Sequence, residues 1–124
     1  MKFKKILITD DSSTARMLIR NYLQIAGLDD AEFYEANDGS EALSLLDSSP
    51  VDLIITDVIM PKIDGNVFIK KLRLRPNLKN IPVVVLTSMG EEGVHIDPDD
   101  RKIKIIQKPV SPEKLISVLE DLDE

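Results

Sequence analysis

The stretch Asp52-Leu53-Ile54-Ile55-Thr56-Asp57-Val58-Ile59-Met60-Pro61 decides the fold. An unbroken apolar run of strand length, with acidic residues at both ends, suits a strand buried on both faces of a parallel sheet. In open sheets of this kind ligands bind where the strands' carboxyl ends emerge, and Asp57 stands at that end. A carboxylate beside a buried strand is costly to desolvate unless something pairs with it. Asp57 therefore needs partners, and the other strand ends are the place to look for them.

Outward from this strand the pattern repeats. Lys4 to Thr9, with Ile6-Leu7-Ile8 continuously apolar, predicts a first strand that runs into Asp10-Asp11. Ser12-Ser13-Thr14 offers a helix N-cap, and Ala15, Leu18, Ile19, Tyr22 and Ala26 form an amphipathic stripe that Gly27 ends. Glu32 to Ala36 predicts a second strand, Asn37-Asp38-Gly39 a turn, and Ser40 to about Ser48 a helix with Ala42, Leu45 and Leu46 inward. After the Met60-Pro61 turn, Asp64-Gly65 leads into a third helix that packs Val67, Phe68, the stem of Lys71 and Leu72. Ile81 to Leu86 is a fourth strand ending at Thr87-Ser88, and Ile103 to Gln107 a fifth ending at Lys108-Pro109. Ser111-Pro112-Glu113 starts the last helix, lined by Leu115, Val118, Leu119 and Leu122, with Ile116 off its inner face.

Between Ser88 and Arg101 the rhythm breaks. Gly90, Gly93 and Pro98 interrupt any helical stripe, so the fourth helix is expected to be short or missing. Glu91, Glu92 and the run from Asp97 to Asp100 read as solvated charge, and His95, the only histidine, as a solvated loop residue. The alternation of strands and helices predicts a doubly wound α/β sheet with right-handed crossovers.

Composition narrows the function. The chain has 124 residues, 43% hydrophobic and 31% charged, which is one domain's worth, over residues 1–124, with room for a core. The absence of cysteine excludes disulfides, zinc-thiolate sites and thiol catalysis. The apolar run after Met1-Lys2-Phe3-Lys4-Lys5 breaks at once at Thr9-Asp10-Asp11, unlike a signal peptide, and no run approaches membrane-spanning length. A cytoplasmic protein without a membrane partner is the expectation. A net charge of −6 argues against a nucleic-acid partner, which would need clustered cations.

The candidate site residues are those at carboxyl strand ends: Asp10, Asp11, Asp57, Thr87 and Lys108. If the sheet has the order 2-1-3-4-5, these side chains share one crevice. Three ionised carboxylates need a counter-charge. With oxygen ligands only, the site suits Mg²⁺, which takes one or two carboxylates, keeps waters and favours phosphate. Lys108 adds a point charge and Thr87 a hydroxyl for phosphoryl oxygens. The set is built to place a phosphoryl group on a carboxylate.

The arrangement resembles the receiver domain of two-component response regulators, of the CheY-like single-domain type. The residues that carry the likeness are Leu7 through Arg16, Glu35 through Leu43, Asp52 through Pro61 with Asp64-Gly65, Thr87-Ser88, and Lys108-Pro109. The resemblance implies a flavodoxin-like five-stranded parallel sheet of order 2-1-3-4-5; that order is the family's own and is taken over with the likeness. It also implies that Asp57 accepts phosphate from the phosphohistidine of a histidine kinase or phosphotransfer protein, forming an aspartyl phosphate. Asp11, Asp57 and the Ile59 backbone carbonyl would bind Mg²⁺ directly, and Asp10 through water. Thr87 and Lys108 would hold phosphoryl oxygens, with the Ser88 amide helping, and Lys108-Pro109 would be a cis bond. The protein would be a signalling switch, not an enzyme, acting on a downstream protein target by docking.

Departures from the family pattern bear on regulation. No aromatic residue lies between Ile103 and Gln107, so coupling of a threonine hydroxyl to an aromatic rotamer is not expected in its common form. Ile59 and Met89, two residues after Asp57 and Thr87, are apolar where many relatives are polar, and are expected to screen an acyl phosphate from water. The weakly packed segment 89–100 is expected to change order on phosphorylation. Two rival readings differ in kind. A haloacid-dehalogenase-like phosphatase would need an Asp-x-Asp nucleophile motif after the first strand, which is absent. A degenerate receiver serving as a phosphorylation-independent binding module would not need the full site.

Overall fold

The computed structural model describes residues 2–60, 64–88 and 94–123. Five strands, β1 (Lys5–Thr9), β2 (Glu32–Ala36), β3 (Leu53–Asp57), β4 (Val83–Thr87) and β5 (Ile103–Gln107), form one sheet. Four helices are described, α1 (Ser13–Leu23), α2 (Gly39–Ser48), α3 (Gly65–Leu74) and α4 (Pro112–Leu122). All pairings are parallel and the order is β2-β1-β3-β4-β5, the flavodoxin-like doubly wound arrangement expected. The fourth helix was expected to be short or missing between Ser88 and Arg101; residues 94–102 contain no helix, and residues 89–93 lie outside the described residues.

The continuous apolar runs are explained by a core on each face. Leu7, Ile54, Val83, Val85 and Ile103 point to one side, against Ala42, Leu43 and Leu46 of α2 and Phe68, Ile69 and Leu72 of α3. Ile6, Ile8, Ile55, Val84, Leu86 and Ile106 point to the other, against Ile19 and Leu23 of α1 and Leu115, Leu119 and Leu122 of α4. Alternate residues thus serve opposite layers, and a strand covered twice reads as unbroken hydrophobicity.

Each helix starts on an oxygen side chain. Ser12 accepts the Ala15 amide at 3.2 Å, Asp38 the Glu41 amide at 2.8 Å, Asp64 the Val67 amide at 3.0 Å and Ser111 the Lys114 amide at 3.2 Å. These bonds satisfy amides that have no carbonyl partner inside the helix. At the other end of α1, Gly27 takes φ +101°, a left-handed conformation in which a β-carbon is strained.

Three expected inner faces shift. Leu18 is exposed and Ile19 and Leu23 carry the α1 contact, since one helix turn later the sheet is reached by i+4 neighbours and not by the whole stripe. On α3, Val67 and Lys71 are exposed and Ile69 is buried in their place. Ile116 is half-buried. Asp100, expected to be solvated, pairs with Arg73 at 2.7 Å, both side chains mostly covered. Val94 is buried and the His95 amide donates to Asn66 Oδ1 at 2.8 Å. Val94 and the Arg73–Asp100 pair thus anchor the described part of the 89–100 segment to α3 and the core, while Asp97, Pro98 and Asp99 are exposed. The His95 residue itself is exposed, as expected.

Gly65 opens α3 directly behind Asp57. Its amide donates to the Val58 carbonyl at 2.6 Å, and a β-carbon there would lie 2.6 Å from the Asp57 carbonyl oxygen and 2.7 Å from Val58 Cα. Both obstacles are backbone, so they have little room to give. Gly65→Ala is expected to lower unfolding stability by about 2 kcal/mol, measured by urea denaturation. A midpoint equal to that of the wild type would show that the β3–α3 connection yields.

Candidate functional site at the carboxyl edge of the sheet

The register sets the site. Thr9 of β1 lies opposite Thr56 of β3, so the residues that follow, Asp10 and Asp57, emerge side by side. Asp57 lies opposite Leu86 of β4, and Thr87 opposite Gln107 of β5. The Val58 amide donates to the Leu86 carbonyl at 3.2 Å and the Lys108 amide to the Thr87 carbonyl at 2.7 Å. These bonds carry the ladder just past the strand ends and hold the loops in step. Thr56 Oγ1, buried beneath the site, donates to the Asp57 carbonyl at 3.0 Å. Its register neighbour Thr9 is equally buried, and its Oγ1 finds no hydrogen-bond partner among the described residues, a local cost of about 1–3 kcal/mol.

Carboxylate oxygens of Asp10, Asp11 and Asp57 all lie within 4.8 Å of one another. Asp10 and Asp57 are buried, 2% and 8% exposed, while Asp11 is exposed. Lys108 reaches over from the far side, its Nζ 3.0 Å from Asp57 Oδ2. One ammonium among three carboxylates leaves an excess of negative charge. The excess shows in Asp10, whose pKa is raised, first by burial and then by the Asp57 and Asp11 charges. The Ser12 amide, 2.9 Å from Asp10 Oδ1, and Lys108 oppose the rise. Crowded hard oxygen donors with unbalanced charge suit a divalent cation such as Mg²⁺.

Thr87 is buried at the end of β4 and Ser88 next to it is exposed. Ile59 is 59% exposed, and Met89, the other residue of the expected apolar screen, lies outside the described residues. The Lys108-Pro109 peptide is cis. Residues 61–63, which include Pro61, also lie outside the described residues.

The model of the response regulator receiver domain matches residues 6–120. The chain belongs to that family. Among similar proteins, a chemotaxis protein CheY homolog of Campylobacter jejuni is 36% identical over 120 residues, covering 95% of this chain and 91% of that protein. The crystal structure of the chemotaxis response regulator CheY4 of Vibrio cholerae superposes with a TM-score of 0.79 at 32% identity, covering 98% and 99% of the two chains. The sensor histidine kinase TmoS of Ectopseudomonas mendocina is 32% identical over 112 residues, which are 90% of this chain and 11% of that protein. The chain is thus a CheY-like receiver of two-component signalling, and it spans about a tenth of that kinase. No helix among the described residues is long and apolar enough to cross a membrane.

Sequence reasoning passed over several residues that the receiver uses to build its site. Gly65, read only as leading into the third helix and as part of the family likeness, is where a β-carbon would meet the Asp57 carbonyl oxygen. Lys114 Nζ donates to the carbonyls of Gln107 and Pro109 at 3.2 and 2.8 Å, on either side of Lys108. Arg16, part of the family stretch but given no role, has its guanidinium against the Asp10 carbonyl. A signal for Arg16 was present: a cation in a helix's first turn opposes the dipole unless it is paired.

Asp10 is the residue through which the crowding can be measured. A carboxyl whose pKa is raised by folding adds stability at pH below its unfolded value, and that stability is lost as pH rises through the folded value. In EDTA at neutral pH, Asp10→Asn is therefore expected to raise the thermal midpoint by a few degrees, keeping the acceptor for the Ser12 amide. The gain should shrink as pH falls through the raised carboxyl range. A lower midpoint for the variant at neutral pH in EDTA would contradict the repulsion.

Proposed function

We propose that Asp57 accepts a phosphoryl group from the phosphohistidine of a histidine kinase or a phosphotransfer protein, and that the resulting aspartyl phosphate changes which protein the receiver docks to. The observation that carries this reading is a buried Asp57 at a parallel strand end, with Lys108 on one oxygen and two further carboxylates within 4.8 Å. Asp10, Asp11 and Asp57, with the Ile59 backbone carbonyl, would hold Mg²⁺. When bound, the cation offsets the negative charge of the carboxylates and of the incoming phosphoryl oxygens.

The chain's own groups do the rest. Asp57 Oδ1, the oxygen that Lys108 does not hold, attacks phosphorus as the P–N bond to the donor imidazole breaks. Lys108 then shifts from Oδ2 to a phosphoryl oxygen, and the Thr87 hydroxyl and Ser88 amide donate to others. Phosphorylation adds charge and strong acceptor oxygens at one point. The Lys108 amide is bonded to the Thr87 carbonyl, so movement of either residue is felt by both loops. In this reading the receiver is a signalling protein whose own Asp57 is the group modified.

A place for the donor lies beside the acceptor. Ala15, Leu18 and Tyr22 of α1 with Pro109 and Val110 line an apolar groove of about 270 Å³ that borders Asp10 and Lys108. Leu18 exposes 47% of its surface there, which is apolar area free to be covered by a partner.

Incubation with Mg²⁺ and acetyl phosphate, followed by intact mass, is expected to add one phosphoryl group to the wild type. EDTA or Asp57→Asn should abolish the gain; an unlabelled wild type sinks the reading. Leu18→Glu should leave labelling by acetyl phosphate unchanged and slow transfer from a phosphorylated partner protein by about tenfold or more. Equal rates from the protein donor would remove the α1 groove as the docking face.

A further inference from the structure

Arg16 stands in the first turn of α1 with its side chain only 11% exposed. Its guanidinium spans two loops and the end of β2. Nε donates to Glu35 Oε1 at 2.9 Å, Nη1 to Asn37 Oδ1 at 2.9 Å, and Nη1 also makes a short bond to the Asp10 backbone carbonyl. Asn37 Nδ2 donates onward to Glu41 Oε2 at 3.1 Å, in the first turn of α2. From the other side, the Asp10 amide donates to the Ala36 carbonyl at 3.1 Å. Both backbone groups of Asp10 are thereby tied to the β2–α2 connection. A planar fork with several fixed donors sets geometry in a way that an ammonium does not.

We propose that Arg16 is a positioning residue for the cation site: it holds the Asp10-Asp11 backbone against the end of β2, so that both carboxylates remain within reach of Asp57. This role rests on the reading of Asp10, Asp11 and Asp57 as a Mg²⁺ site. Its sign separates it from a simple charge effect. Arg16 is a cation near a place meant for a cation, so by charge alone its removal would tighten Mg²⁺ binding. As a positioning residue its removal weakens binding, because the carboxylates lose their fixed spacing. Arg20 supplies the control. It lies 3.9 Å from the same Glu35 and 5.1 Å from the centre of the Phe33 ring, and no bond from it to Asp10 is made.

The experiment is calorimetric titration of the full chain with MgCl₂, for wild type, Arg16→Met, Arg16→Lys and Arg20→Met, alongside thermal midpoints in EDTA and in saturating Mg²⁺. Arg16→Met is expected to weaken Mg²⁺ binding about tenfold, Arg16→Lys about threefold or more, and Arg20→Met to leave it unchanged. The rise in midpoint brought by Mg²⁺ should shrink in the Arg16 variants, whereas loss of a merely structural contact lowers both midpoints alike. Wild-type or tighter binding by a folded Arg16 variant overturns the role, as does equal weakening in Arg20→Met. If Arg16→Met does not fold, Arg16→Lys decides by the same criterion. A wild type that takes up no Mg²⁺ overturns the cation site itself, and the role of Arg16 falls with it.

Discussion

The structure turns on one electrostatic constraint: parallel strands that end level with each other deliver Asp10 and Asp57 to the same place. The register Thr9↔Thr56 leaves them no freedom to part. Burial then strengthens their repulsion, since neither can be fully hydrated. Lys108 relieves Asp57 from one side at 3.0 Å, and the pKa of Asp10 is raised first by burial and then by the neighbouring carboxylates. A sheet with this edge is held together by its two cores and is strained, in the electrostatic sense, at its site. That imbalance is what a divalent cation and a phosphoryl group would act on.

The surrounding framework keeps the repelling groups in place by fixing backbone, not side chains alone. Gly65 brings α3 against the Asp57 carbonyl, closer than any other residue could. Arg16 holds the Asp10 carbonyl and Lys114 holds the carbonyls on either side of Lys108. Two cations outside the site thus secure the two loops that bring charge into it. The Lys108 amide on the Thr87 carbonyl joins the β5 loop to the β4 loop.

Much of this was legible before the coordinates. The runs around Ile54 and Val84 were readable as strands because burial on both faces leaves no charged position to confuse the period. The start of the last helix at Ser111 was readable, and that of α1 within Ser12-Ser13-Thr14, because few residue types satisfy free helical amides. What misled was local: the stripe through Leu18 and Val67 fits a helix wheel, but a wheel does not say which part of it meets the sheet. Asp100 looked solvated because its partner, Arg73, lies in a different element. The strand order was carried by family likeness, since several orders satisfy the same alternation of strands and helices.

By itself the sequence determined which segments are strands, which residues stand at their carboxyl ends, and that several of those residues are acidic. These are properties of short stretches, set by periodicity and by the chemistry of single residues. Only the tertiary structure decided that Asp10, Asp11 and Asp57 lie within 4.8 Å, that Lys108 spans to Asp57 from β5, and that Arg16 and Lys114 grip the loops between them. Such facts depend on register and on packing between elements far apart in the chain. No local pattern contains a distance between strands; it is set when both faces of the sheet are covered and the strand ends can no longer slide.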